Sequence, residues 1–480
     1  MMNRSSLIAA VCIVVYGIAV YALVPSPAAP LPPATLSPPP TGKMPRDMKE
    51  VQLTFAPVVK RVAPAVVNVY ARTVVQAPMN PFFNDPFFQQ FFGSPQMRQR
   101  VQQSLGSGVI VRSDGLILTN NHVIQGGQDI VVALADKREF KAKVMLADTR
   151  TDLAVLKIDT RGERLPTVEF GNSDQLQVGD LVLAIGDPFG VGQTVTMGIV
   201  SALARTEVSA SNYQFFIQTD AAINPGNSGG ALVTTDGKLA GINTAIFSRT
   251  GESIGIGFAI PANMARRVVE GATTGGVKLP WIGADGQPVT GELAASLGLA
   301  RPQGVLLKSV YPGSPAARGG LKVGDVILSV DGAEVSDMQS LNYRVATHKP
   351  GETARLSVSS NGHARDVNVS LALPPENPPR DAKLIGGHNP LTGAHIANLS
   401  PAVAVDLQMN LMAKGVVILS VSPGTPSGEY GFQPGDVVHS VNGQPMGDTG
   451  QLKHALDAAG GHWDLVIDRS GQRLSLSVDG

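Results

Sequence analysis

Cysteine is all but missing from the 480 residues: Cys12 is the only one, and it falls in an N-terminal apolar run. The rest of the chain therefore has no disulfide framework and no thiolate metal site. Aromatics are sparse at 5 percent, with two tryptophans. Against them stand 53 glycines and 35 prolines, a turn-rich and β-rich composition. Net charge is absent too, since 38 basic residues balance 38 acidic ones. No global field favours nucleic acid or an anionic membrane surface. There is no Gly-x-x-x-x-Gly-Lys phosphate loop and no metal-ligand cluster, so neither metal, ATP nor another cofactor is expected. Histidine is scarce in one telling way: of eight, only His122 precedes position 348.

What is present divides the chain. Arg4 and an uncharged apolar run from Leu7 to Val24 read as a signal anchor over residues 1–24, with a cleaved signal peptide as the alternative. Either sends the remainder across the membrane, with Arg4 staying inside. A proline-rich linker follows over 25–48. Residues 51–72 predict a short helix and then a strand from Ala65 to Tyr70. Six of the 15 phenylalanines fall between Phe82 and Phe92, interrupted by polar residues and proline. This is a loop whose aromatic pairs need a partner surface, either another subunit or an active-site rim; self-packing is the plain alternative.

From 106 to 261 the chain is a run of short β segments. Ser113-Asp114-Gly115 between apolar runs is a hairpin signal. Many short strands with glycine turns predict barrels or a sandwich, closed by a helix over 262–271. The C-terminal third repeats itself. The stretch from Gly304 to Pro315 returns 111 residues later from Gly415 to Pro426, and Gly324-Asp325 returns as Gly435-Asp436. Two copies of one small module are expected, at 273–373 and 384–480, joined by a linker at 374–383.

The chemistry centres on Asn224-Pro225-Gly226-Asn227-Ser228-Gly229-Gly230. A serine on a glycine-rich turn exposes a hydroxyl where bare N–H groups converge, the need of acyl transfer. A plain surface turn is the bland reading. A base has to come from His122, which has no rival upstream. Among the acids between them, Asp152 heads the apolar strand Leu153-Ala154-Val155-Leu156 and is preferred over Asp136, Asp148 and Asp159. Asp148 could cap a turn instead. The order His, Asp, Ser is that of double-barrel proteases. Ser228 would attack a peptide carbonyl, His122 would carry the proton and Asp152 would fix its tautomer. N–H groups of Gly226 and Ser228, with Asn227, would hold the oxyanion.

These stretches, with Thr119-Asn120-Asn121-His122-Val123, Thr151-Asp152-Leu153-Ala154-Val155 and Gly255-Ile256-Gly257-Phe258-Ala259-Ile260-Pro261, resemble the HtrA (Do-like, DegP/DegQ-type) periplasmic serine proteases over roughly residues 50–480. The resemblance implies a mainly β fold: a chymotrypsin-like double β-barrel protease domain over 49–272, then two PDZ domains. It implies an S1 pocket from Ile223, Phe247 and Ile256, for which barrel core is the bland reading. It implies a carboxylate-binding loop at Trp281-Ile282-Gly283-Ala284, so that the partners are unfolded proteins and C-terminal peptides. It also implies a homotrimer or larger assembly through the Phe82–Phe92 loop and work in the periplasm. In the second module Leu391-Thr392-Gly393-Ala394 matches too weakly to assign, leaving peptide binding and a spacer role both open. Asp187 departs from the family, which usually has Asn before this proline. A chaperone or peptide-binding scaffold is the functional alternative to an ATP-independent endopeptidase.

Overall fold

The computed structural model describes residues 54–75, 100–188, 192–205, 215–224, 226–246 and 255–480. The apolar run 7–24, the proline-rich stretch, the loop from Phe82 to Phe92 and Phe247 lie outside the described residues. Among the described residues no helix is long and apolar enough to cross a membrane, and no His/Cys/Asp/Glu group could hold a metal ion.

Helix α1 (Ala56–Val62) starts with Pro57 in its first turn, where a missing N–H costs nothing. Six strands then close a barrel: β1 (Val66–Val75), β2 (Arg100–Arg112), β3 (Leu116–Asn120), β4 (Asp129–Ala133), β5 (Glu139–Asp148) and β6 (Leu153–Ile158). Their order is β1-β2-β3-β6-β5-β4, closed by β1 against β4. The Asp-Gly hairpin joins β2 to β3, as the sequence predicts. Gly115 there has φ +90°, and a Cβ would lie 2.8 Å from Ile158 Cγ1. All five residues of β3 are buried. Its apolar members each contribute about 1.5–3 kcal/mol of transfer free energy. Its polar members need partners: Thr119 donates to Ser107 O and Asn120 to Asp152 O. Burial at the C-terminal end of β3 thus orders the segments that carry the site.

The second barrel is β7 (Leu181–Gly186), β8 (Thr194–Arg205), β9 (Phe216–Thr219), β10 (Ala231–Thr234), β11 (Leu239–Ile246) and β12 (Gly257–Pro261), in the order β10-β11-β12-β9-β8-β7. It closes through β7 and β10, with Ile185 opposite Ala231. One-turn helix α2 (Asn121–Ile124) follows β3, and α3 (Ala262–Thr273) packs its apolar face on β11, β6 and β5.

Two smaller sheets follow. The first holds β13 (Ala284–Pro288), β14 (Val305–Val310), β15 (Val326–Val330), β16 (Ala333–Glu334), β17 (Thr353–Ser360) and β18 (His363–Ser370), with helix α4 (Met338–Ala346) across it. The second holds β19 (Lys383–Leu384), β20 (Ala394–Asn398), β21 (Val416–Val421), β22 (Val437–Val441), β23 (Gln444–Pro445), β24 (His462–Arg469) and β25 (Gln472–Asp479), with helix α5 (Thr449–Ala458). The 111-residue register holds from β14 to β21 and from β15 to β22. The repeated Gly-Asp has a physical role in both copies. Asp325 and Asp436 each accept the N–H of their own turn, from Lys322 and Gln433, and each pairs with an arginine, Arg365 or Arg469.

The first module docks on the second barrel through α4. Tyr343 stacks on Phe215 with ring centroids 4.0 Å apart and planes 4° off parallel. Arg344 lies over Phe215 at 5.2 Å and pairs with Asp174 at 2.5 Å.

Candidate active site

The cleft between the barrels receives side chains from β3/α2, the start of β6, the turn before β10, and β11. His122 stands in the single turn of α2. Its Nδ1 lies 2.7 Å from Asp152 Oδ2, and its backbone N–H donates to Asp152 Oδ1 at 3.0 Å. One carboxylate thus grips the ring and the backbone of the same residue, which fixes ring orientation. Asp152 is held in turn. Its φ is +55°, a left-handed conformation that aspartate tolerates better than most residues. Its carbonyl accepts the Asn121 N–H at 3.0 Å and Asn120 Nδ2 at 3.1 Å. Asp148, the rival acid, is buried elsewhere and ion-paired with Arg150 at 3.0 Å.

Ser228 sits on the turn between the second barrel's inner cluster and β10. Gly226 has φ +98° and Gly229 φ +85°. At Gly229 a Cβ would fall 2.1 Å from Ser107 O, so only glycine fits. Ser228 Oγ donates to Thr244 O at 3.1 Å, and no Ser228–His122 hydrogen bond occurs among the described residues. Of the three oxyanion candidates, Asn227 has its N–H committed to Asn224 O at 2.9 Å, closing a turn. In this conformation its role is to shape the turn that presents Gly226 and Ser228.

Two residues of the site went unnoticed in the sequence. Thr244, on β11, serves both sides: its carbonyl takes the Ser228 hydroxyl, and its own hydroxyl donates to Asp152 Oδ2 at 2.9 Å. Ser107, fully buried on β2, fastens the glycine turn. Its N–H donates to Ser228 O at 2.7 Å and its hydroxyl to Gly226 O at 2.6 Å. The same hydroxyl accepts the N–H of Asp187 at 2.8 Å. Threonines and serines are too common on strands for either to stand out; only the Gly-Ser-Gly around Ser107 hinted at close backbone approach.

Asp187 lies directly behind that turn. Its backbone is pinned by Ser107 and by Asn68, whose Nδ2 donates to Asp187 O at 2.7 Å. Its carboxyl is buried, with Oδ1 lacking any partner. Burial raises its pKa, opposed in part by the Gly192 N–H and the field of Lys137.

Of the S1 candidates, Ile223 is fully buried in the second barrel's inner cluster, next to Gly257. Ile256 is half-buried, and Phe247 lies outside the described residues. Trp281, Ile282 and Ala284 are buried at the edge of the first module's sheet, where Trp281 packs against Tyr311. Gly283 has φ +74°, and a Cβ would strike Ser314 at 2.2 Å.

Comparison with known proteins places these features. Residues 106–242 match the trypsin-like peptidase domain, and residues 280–371 and 417–469 match PDZ domains. A relative described as a probable periplasmic serine endoprotease, DegP-like, from Chlamydia muridarum is 37% identical over 452 residues, covering 90% of this chain and 89% of its own. Its counterpart from Pseudomonas putida is 41% identical over 414 residues, covering 82% and 85%. The solved HtrA-type protease AlgW with tripeptide is 45% identical, covers 67% of this chain and 98% of its own, and superposes with a TM-score of 0.50.

Proposed function

The chain belongs to the HtrA family of DegP-like periplasmic serine endoproteases, and from that premise we propose that it cleaves unfolded or damaged envelope proteins by a Ser228–His122–Asp152 mechanism. The observation that carries the mechanism is the 2.7 Å contact of His122 Nδ1 with a carboxylate held by two further hydrogen bonds, from the His122 backbone N–H and the Thr244 hydroxyl. That contact leaves the imidazole's other nitrogen as the base. The Ser228 hydroxyl turns from Thr244 toward His122 as substrate binds, gives up its proton and attacks the scissile carbonyl. Asp152 stabilises the imidazolium, and His122 returns the proton to the leaving amine. The N–H groups of Gly226 and Ser228 receive the oxyanion, and losing one such donor costs about 10²–10³ in rate. Ile223, Ile256 and Phe247 line S1. Their apolar side chains favour small or aliphatic residues.

The first PDZ module takes the extended C-terminus of a partner as an added strand on β13, its carboxylate on the loop Trp281–Ala284. Work in the periplasm, an anchor at residues 7–24 and a homotrimer joined through the Phe82–Phe92 loop belong to the same reading. The deciding experiment is hydrolysis of fluorogenic casein without added nucleotide or metal. Wild type should degrade it, and Ser228→Ala should lose at least about 10³ in kcat. Undiminished cleavage by purified Ser228→Ala protein would overturn the mechanism.

A further inference from the structure

The two modules differ at one edge. The second sheet has an extra strand outside the repeat, β19, which pairs antiparallel with β20: Lys383 lies opposite Ile396 and Leu384 opposite His395. The pairing extends beyond β19 in both directions. Asn398 donates its N–H to Arg380 O at 2.8 Å and its side-chain amide to Pro379 O at 2.8 Å. Ile385 donates to Ala394 O at 2.9 Å, and Gly393 donates to Ile385 O at 2.8 Å. Backbone from 379 to 385 therefore lies along β20, although the sequence assigns 374–383 to a free linker. In the first module β13 begins the strand order, and no strand among the described residues covers its outer edge. The positions matching Leu384 and Ile385 there are Thr274 and Gly275, at the C-terminal end of α3, where Thr274 bonds back to Gly271.

The added segment has the features of a bound peptide C-terminus. It runs antiparallel to the edge strand. Its last side chain, Ile385, is 2% exposed and joins the cluster of Leu391, Ile396, Leu452 and Leu456. The Ile385 carbonyl takes the N–H of Gly393, the residue that matches Gly283 in the first module's carboxylate loop. Gly386 and Gly387 then turn the chain away; their carbonyls accept from the Asn389 amide at 3.0 Å and the Thr392 hydroxyl at 2.8 Å. On the facing wall Asp381 takes the hydroxyl of Thr449, the first residue of α5, at 2.5 Å.

We propose that residues 379–385 are a built-in strand that fills the peptide-accepting edge of the second module, so that of the two modules only the first is open to a partner's C-terminus. The inference rests on the reading of these modules as C-terminal peptide binders. A tethered occupant acts at an effective concentration of order millimolar. A free peptide of similar intrinsic affinity at micromolar concentration does not displace it.

Calorimetric titration of the full-length Ser228→Ala chain tests this, the substitution preventing cleavage. The probe is a decapeptide with an apolar last residue and a free carboxylate. One site per chain is expected, and Gly283→Val should remove it. Ile385→Pro removes the N–H that this residue donates to Ala394 O, and Ile385→Gly removes the strand's apolar anchor. Each should add one site, in the parent and in the Gly283→Val background alike. Circular dichroism and hydrogen exchange of Trp463 confirm that the second module stays folded. Two sites in the parent chain would overturn the proposal, as would no gained site in both folded variants. Absence of binding by the first module alone would count against the peptide-binding part of the proposed function, and a site gained in Ile385→Pro would still uphold the built-in strand.

Discussion

Ser107 holds the nucleophile's turn from below with a single hydroxyl that both donates and accepts. Ser107→Ala leaves the Gly226 carbonyl and the Asp187 N–H unpaired in a dry site, a penalty of about 1–3 kcal/mol. Because Gly226 shapes the oxyanion pocket, the loss should fall on the transition state: kcat lower by about tenfold or more, KM little changed, as read by steady-state peptide hydrolysis. Asp187 gives the second prediction at this scale. A raised acid pKa means that the folded chain holds this proton more tightly than the unfolded chain. The associated stability is present below about pH 4, the unfolded value, and is lost as pH rises through the higher folded value. Asp187→Asn stays neutral throughout. Its gain in Tm over wild type should be largest near pH 7 and should vanish toward pH 4 in thermal melts. The sequence marks Asp187 as a departure from the family pattern, but its burial against the turn is a tertiary fact.

Helix α4 shows how one element serves two masters. Its apolar side completes the first module's core through Leu341 and Val345, while Tyr343 and Arg344 grip the second barrel. Burial at that contact pushes the Tyr343 phenol above its usual range. Phe215→Ala removes the ring on which both residues rest, a loss of about 3–5 kcal/mol for a buried aromatic. Hydrogen exchange over Met338–Ala346 should quicken, with β1 to β6 unchanged; equal quickening throughout would mean general unfolding instead. Elements with a strong local code were legible in advance: the Asp-Gly hairpin between β2 and β3, the short helix α1 before the first strand, and the strands β14 and β15 that return as β21 and β22. Strand β19 was not. Lys383-Leu384 is too short for any periodicity, and its partner strand lies ten residues further on, across a turn.

For the whole molecule the sheets make a chain of unlike parts: two closed barrels around a cleft, one module with an open edge and one with its edge filled. Closed barrels leave no free edge for stray pairing, and in the proposed function the edge that takes a partner's C-terminus belongs to a module. In the proposed trimer, light scattering should give about three times the 50.0 kDa chain mass, and deletion of 82–92 should return it to one. A wild-type mass of one chain would remove the trimer from the reading. By itself the sequence determined what local spacing and uniqueness can determine. There is one upstream histidine, a serine on the glycine-rich turn from Asn224 to Gly230, an aspartate heading an apolar strand and a module written twice. The tertiary structure alone decided which atoms meet. Thr244 links nucleophile and acid, Ser107 underpins the turn, Asn227 spends its N–H on that turn, and the linker lies down on β20. Each is a hydrogen bond between groups that backbone folding brings together, and such bonds leave no period or motif in the chain. The glycine turn is legible because only glycine reaches its φ; the hydroxyls that hold it in place are not, because any strand can carry a serine.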